Sequence, residues 1–263
     1  MAKERADKVI LSRGLASSRQ KAQALIMAGL VFSRGKKIEK PGEMIDQSQE
    51  IFIHKEIPYV SRGGLKLEEA LDIFTIPVME RVAADLGAST GGFTDCLLQR
   101  GARKVYAVDV QTRQIDCHLR EDPRVVLVEK NARYLKKEDF KDKLDIVTTD
   151  LSFISILKVL PAIKEFLGKA ELLSLLKPQF EVGKHQVGKK GIVKDRRLHE
   201  EVLNRLIEDA RKMGFKLRGL IKSSIRGQKG NREFFVYWSL GEDLLTKNEI
   251  ETMIREAVWN EKN

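Results

Sequence analysis

Asp150 closes Thr148-Thr149-Asp150 and Lys177 closes Ser174-Leu175-Leu176-Lys177, so both charges stand where a strand-like stretch stops. In a doubly wound sheet such positions lie at the carboxyl edge, where ligands are held. Lys66, in Tyr59-Val60-Ser61-Arg62-Gly63-Gly64-Leu65-Lys66-Leu67, and Glu233, in Gly230-Asn231-Arg232-Glu233-Phe234-Phe235, complete a set of two cations and two anions. Each alone has a plain explanation, a helix cap or a surface ion pair. Together they can do proton chemistry. A lysine is ordinarily a cation, with a pKa of about 10.4. Burial and a second ammonium favour its neutral form, while carboxylates oppose that and orient the amines.

A second set could hold a ligand. Asp85-Leu86-Gly87-Ala88-Ser89-Thr90-Gly91-Gly92 follows the strand-like Val82-Ala83-Ala84 and leads into the helix-like run that opens at Phe93. A glycine-rich turn between strand and helix lets a ligand approach the backbone closely. Asp109, with Val110 after it, closes a second strand and suits the two hydroxyls of a ribose. The full GxGxxG spacing is missing, so a dinucleotide fits poorly. S-adenosylmethionine, an adenosine without a pyrophosphate, fits better. A tight turn in another kind of α/β domain stays open as the alternative. Asn131 and Ala132, beyond a third strand, stand where an adenine pocket would be, or in an ordinary loop.

These residues need a frame. Strand-like runs fall at Val82–Leu86, Lys104–Asp109, Val125–Glu129, 144–149, 170–176, 215–221 and 234–239, with helical stretches such as 65–72 and 199–213 between them. The alternation predicts an α/β, mostly parallel, doubly wound Rossmann-like domain over residues 59–263. The glycine- and lysine-rich stretch 183–195 reads as a mobile loop beside the site or as a floppy insertion. Ahead of it, residues 1–54 read as a small α+β module. It has a short helix over 5–11 ending at Gly14, a second helix capped by Ser17 or Ser18, and Gly29 as its left-handed stop. Turns at Ser33-Arg34-Gly35-Lys36 and Pro41-Gly42 and a strand at 50–53 complete it. Residues 55–58 form a short link.

Charge points to the partner. The chain of 263 residues carries a net charge of +10. Residues 1–40 hold ten basic and three acidic side chains, and residues 211–232 hold eight basic and none acidic. Two concentrated basic stretches favour a polyanion such as nucleic acid. No apolar run is long enough to span a bilayer, and the first residues lead into no signal-peptide core. Two cysteines, Cys96 and Cys117, without metal-ligand spacing, fit a reducing cytoplasm and no structural metal.

The first module resembles the RNA-binding domain named after ribosomal small-subunit protein four, through Gly14-Leu15-Ala16-Ser17-Ser18-Arg19-Gln20-Lys21-Ala22, Ile26, Gly29, Val31, Gly35 and Lys40-Pro41-Gly42. The resemblance implies that Arg5, Arg13, Arg19, Lys21 and Arg34 face RNA phosphates, with Arg62 joining them from the second domain. Arg34 stands where the family pattern often has Asn. Lys66, Asp150, Lys177 and Glu233 resemble the catalytic tetrad of ribose 2′-O-methyltransferases. That implies deprotonation of a ribose hydroxyl by Lys177, Asp150 beside it and near the sulfonium methyl, and Lys66 and Glu233 positioning the ribose. Which lysine is the base stays open, because such groups titrate together. From about residue 3 to residue 240 the chain resembles the TlyA type of FtsJ-like, haemolysin-named methyltransferases, also through Asp150-Leu151-Ser152-Phe153-Ile154-Ser155 and Leu176-Lys177-Pro178-Gln179-Phe180-Glu181-Val182-Gly183. The family implies S-adenosylmethionine-dependent 2′-O-methylation of cytidine in large-subunit RNA. Small-subunit RNA joins it for members with an extra C-terminal helix, which 245–258 could be. The partner implied is ribosomal RNA or a ribosomal subunit, with no part for a membrane. A non-catalytic ribosome assembly factor and a membrane-active haemolysin are the alternatives.

Overall fold

The computed structural model describes residues 3–27, 29–33, 36–53, 58–183, 186–188, 191–227 and 229–260. The chain forms two compact units, Met1–Pro58 and Tyr59–Asn263.

In the first unit, β1 (Lys3–Arg5), α1 (Ala6–Ser12), α2 (Arg19–Met27), β2 (Val31–Ser33), β3 (Lys36–Lys37), β4 (Met44–Asp46) and β5 (Ile51–Ile53) follow in order. Strand β2 pairs antiparallel with β3 and β5, and β1 pairs with β4. The sequence predicts helix at Arg5, but Arg5 ends β1. Its conformation is set by the partner strand, which local propensity does not contain. Ser18 accepts the Lys21 N–H at 3.1 Å, so it, and not Ser17, is the side chain seen capping α2. Gly29 has a φ of 76°, as a left-handed stop requires. Ala6, Val9, Ile10, Ala22, Ile26, Val31, Ile38, Ile45 and Ile51 make this unit's own core.

The second unit runs α3 (Arg62–Ile73), β6 (Val82–Leu86), α4 (Gly92–Gln99), β7 (Lys104–Asp109), α5 (Cys117–Glu121), β8 (Val125–Glu129), β9 (Ile146–Thr149), α6 (Leu160–Leu167), β10 (Glu171–Leu176), α7 (Pro178–Glu181), α8 (Arg196–Lys212), β11 (Phe215–Lys222), β12 (Phe234–Leu240) and α9 (Lys247–Trp259). The strands form one sheet in the order β11-β12-β10-β9-β6-β7-β8. Strands β6 to β10 are mutually parallel, while β12 runs antiparallel to both β10 and β11. The run Val-Ala-Ala-Asp-Leu of β6 is buried throughout, as a central strand of a sheet covered on both faces demands.

Two topological facts position the site. Strand order reverses at β6, whose neighbours β7 and β9 lie on opposite sides, and crevices open at such reversals. Strand β12 is antiparallel, with Phe234 opposite Leu176, so its opening end lies at the carboxyl edge of β10. That brings Glu233 to the edge where Lys177 and Asp150 stand.

Candidate active site

At the end of β6 the N–H groups of Gly87 and Ala88 both donate to the Val108 carbonyl, at 2.8 and 3.0 Å, and turn the chain away. Gly87 has a φ of 90°, and a Cβ there would lie 2.8 Å from the Asp150 carbonyl oxygen. Only glycine lets this turn approach the end of β9 so closely. Asp109 draws the turn in from the other side: its carboxylate accepts the Ser89 N–H at 2.9 Å and the Gln111 N–H at 3.1 Å.

A cleft of about 590 Å³ lies at this edge, and all four charged residues line it. Lys177 Nζ stands 2.7 Å from Asp150 Oδ1 and donates to Ser152 Oγ at 2.9 Å. Lys66 Nζ donates to Glu233 Oε2 at 2.6 Å. Lys66 reaches the cleft from α3, which Ser61 caps by accepting the Gly63 N–H. Both Lys66 and Glu233 are buried. Replacing a buried ion pair by apolar side chains often leaves stability unchanged or raises it, so function is the stronger reason for keeping one here.

Of the candidate cofactor residues, Gly87, Ala88, Ser89, Thr90, Gly92, Phe93 and Asp150 line the cleft, whereas Asp85, Gly91, Asp109, Val110, Asn131 and Ala132 do not. Asp85 is fully buried beneath the turn, where its carboxylate accepts from Thr94 Oγ1 at 2.8 Å and Thr148 Oγ1 at 3.3 Å. Burial, with a smaller push from Asp150, raises its pKa to about 7. Val110 is exposed beside Asp109. Asn131 accepts the Arg133 N–H at 3.0 Å and so caps a short helical turn, and Ala132 joins the core.

Several cleft residues were not singled out by the sequence. Phe153 is 90% exposed and has a φ of 65°, a conformation costly for a bulky side chain. Its ring centroid lies 4.9 Å from that of Phe180, and both rings line the cleft. Glu181 is buried and accepts the Ile156 N–H at 2.9 Å, which ties the segment after β10 to the segment after β9. Burial raises its pKa. Gly191, Gly227, Lys229 and Asn231 form part of the rim, and Arg62 lines the cleft as expected.

In the first unit the basic residues are partly committed to their own fold. Arg5, Arg19 and Gln23 all donate to the buried Asp7, at 2.9, 3.0 and 2.8 Å. The Arg5 hydrogen bond is the main force holding that carboxyl well below the usual range. Arg13 donates to the Gln47 and Gln49 carbonyls. Lys21 is exposed, and Arg34 lies outside the described residues. In the second basic stretch Arg211 and Lys216 both bind Asp243, so charge density there overstates the free cations.

A parallel sheet with one antiparallel strand, a glycine turn at its reversal point and a cleft at its carboxyl edge define a Rossmann-like methyltransferase. Comparison with known proteins narrows the class. Residues 59–240 match the FtsJ-like methyltransferase family and residues 4–51 match the S4 domain. The 16S/23S rRNA (cytidine-2′-O)-methyltransferase TlyA of Mycobacterium tuberculosis is 40% identical over 97% of this chain and 97% of its own. Hemolysin A of Brachyspira hyodysenteriae is 44% identical over 89% of this chain and 99% of its own. A solved structure, "Putative hemolysin from Streptococcus thermophilus", is 40% identical with a TM-score of 0.73, covering 98% of this chain and 96% of that one. The chain belongs to the FtsJ-like methyltransferases, in their TlyA type with an S4 domain preceding the methyltransferase unit in sequence. S-adenosylmethionine is the methyl donor of that family.

Proposed function

We propose that this protein methylates the ribose 2′-hydroxyl of a cytidine in ribosomal RNA, with 23S RNA as substrate and 16S RNA as a second one. The observation that carries this reading is the pair of lysine–carboxylate contacts, Lys177–Asp150 and Lys66–Glu233, in one cleft beside the glycine turn. The relatives named for 16S/23S cytidine-2′-O-methylation support the substrate, and α9 lies where the sequence suggests an extra C-terminal helix.

The residues present fit S-adenosylmethionine. Gly87, Ala88, Ser89, Thr90 and Gly92 of the turn line the cleft, and Asp109 beside the turn still has lone pairs for ribose hydroxyls beyond the two N–H groups it accepts. When bound, the cofactor supplies a methyl group on a sulfonium, an electrophile that needs no further activation. The chain must therefore deprotonate and aim the hydroxyl. Lys177, held by Asp150 and Ser152, takes or holds the hydroxyl proton. Lys66 and Glu233, fixed to each other, would position the ribose and aim its hydroxyl. Phe153 and Phe180 offer ring faces on which a base lifted from its strand can stack. Arg62 from the cleft, and Arg5, Arg13, Arg19, Lys21 and Arg34 from the S4-type module of residues 1–54, contact phosphates and set register with little base specificity. Residues 55–58 link that module to the catalytic domain 59–263. No helix among the described residues is long and apolar enough to cross a membrane, and the cytoplasm, where ribosomal RNA is found, is the proposed location.

The test is methyl transfer to ribosomal RNA with purified protein, followed by mapping of the modified nucleotide. Wild-type protein should give a 2′-O-methylcytidine. Lys177→Ala should lose about a hundredfold or more in kcat while binding cofactor normally. Lys177→Arg should fail too, because guanidinium stays protonated. Methylation of a base, or near-normal turnover by Lys177→Arg, would sink the assignment.

A further inference from the structure

Two residues before Glu233, Asn231 is 3% exposed and uses both ends of its side-chain amide on a distant segment. Its Oδ1 accepts the Val193 N–H at 2.9 Å, and its Nδ2 donates to the Gly191 carbonyl at 2.8 Å. Its own carbonyl accepts the Gly227 N–H at 3.0 Å, inside the turn that precedes β12. The Val193 carbonyl is taken in turn by Nε2 of His199, a buried histidine whose pKa burial lowers, at 3.1 Å. Asp195 then caps α8. Residues 191–195 are thus a strap fastened at three points. Two of the fasteners, Asn231 and His199, are buried side chains.

The strap and the turn both border the cleft, through Gly191 on one side and Gly227 and Lys229 on the other. No proton or methyl transfer needs Asn231, and no hydrophobic contact explains an amide at that place. A buried amide satisfied twice by backbone groups of another segment works as an artificial piece of strand pairing. It ties together two segments that line the cleft.

We propose that Asn231 is a positioning residue for the RNA strand. By clamping residues 191–193 to the turn before β12, it sets the width of the cleft mouth through which a single-stranded polynucleotide enters and aims Lys229 at its backbone. This rests on the reading of the cleft as an RNA methyltransferase site. The clamp acts before the chemical step, so its loss is felt in RNA binding more than in turnover.

The test uses full-length protein, a ribosomal RNA fragment and two variants, Asn231→Asp and Asn231→Ser. Aspartate keeps the size and the acceptor for Val193 but loses the donor to Gly191. Serine is too short to span both. KM for RNA and the directly measured RNA Kd should rise about tenfold in each, the worth of about one buried hydrogen bond. The kcat should fall less than threefold, and cofactor Kd, read by calorimetry, should stay within twofold. Unchanged RNA Kd in both variants would overturn the proposal. So would a loss confined to kcat, or a loss of cofactor affinity as large as that for RNA, since either would mean that Asn231 supports the chemical centre or the fold. Failure of the wild-type protein to methylate RNA would instead strike the functional reading, and RNA Kd would still report on the clamp.

Discussion

At the scale of single residues, burial decides what each charge is for. The Lys66–Glu233 pair is nearly closed to water, with side-chain exposures of 9% and 3%. Removing one partner leaves a buried, uncompensated charge, which costs about 3–5 kcal/mol. Lys66→Met should therefore lower the melting temperature strongly. The double variant Lys66→Met with Glu233→Leu should regain most of that stability without regaining methyl transfer. Recovery of activity along with stability would show that the pair is there for the fold. Asp85 makes a different demand. Its pKa of about 7 lies above the ordinary carboxylate value of about 4, so the folded chain holds this proton more tightly than the unfolded one. The stability that this group contributes is fully present below pH about 4 and is lost as pH rises to about 7. Asp85→Asn keeps the shape and can still pair with the Thr94 and Thr148 hydroxyls, which donate or accept. Its melting temperature should change less than that of wild type between those values and exceed it above them. Melting curves that fall in parallel would assign the pH dependence to another group.

At the scale of elements, the cleft depends on loops that carry almost no side chain where they touch. A Cβ on Gly227 would stand 2.3 Å from Glu233 Oε1, and Gly227 has no left-handed φ to protect. Gly227→Ala should therefore act first through Glu233. Methyl transfer should fall about tenfold to a hundredfold, cofactor affinity should hold, and melting should shift by no more than a few degrees. Full activity in that variant would mean that Glu233 can move without consequence. The elements themselves were largely legible. Val82–Leu86, Lys104–Asp109 and Val125–Glu129 have the bounds expected, because apolar runs rich in β-branched and small residues stop at glycine or at charged residues. Lys66, Asp150, Lys177 and Glu233 were legible as a set and do share one cleft. Strand direction was not legible, because a period of two is the same read either way, and the antiparallel run of β12 is what delivers Glu233. The Phe153–Phe180 pair and the Glu181 tie were hidden for a related reason. They depend on a φ of 65° at Phe153 and on the meeting of two segments far apart in sequence. Asp7 is the clearest miss: an acid in a basic stretch looks like surface, yet it is buried and gathers Arg5 and Arg19. The Gly-Lys-rich stretch 183–195 looked mobile from composition, which does not reveal that Asn231 and His199 hold its described end at 191–195.

At the scale of the whole molecule, two separate cores divide the labour. Ala6 to Ile51 bound a buried cluster in the first unit, and Val82 to Val258 bound a larger one in the second. Each of these clusters is made of its own unit's residues among those described, so residues 59–263 alone should fold and bind S-adenosylmethionine with wild-type affinity. RNA binding should differ. Each phosphate that a lysine or arginine neutralises releases counterions, and the logarithm of the binding constant falls with that of salt by about 0.7–0.9 per contact. Arg5 and Arg19 keep 41% and 47% of their side chains exposed even while bound to Asp7, so their unused N–H groups remain open to phosphate. Removing residues 1–58 should weaken RNA binding and flatten the salt slope by several contacts, while the remaining slope reports the cleft cations such as Arg62 and Lys229. Asp7→Asn in the full chain gives the finer result. It frees Arg5 and Arg19 from their ion pairs without removing a positive charge, so the slope should stay the same or steepen even as the module loses stability. An unchanged slope on truncation would mean that the S4 unit meets something other than the RNA backbone. A flatter slope in Asp7→Asn would mean that Asp7 is needed to aim the two arginines at their phosphates.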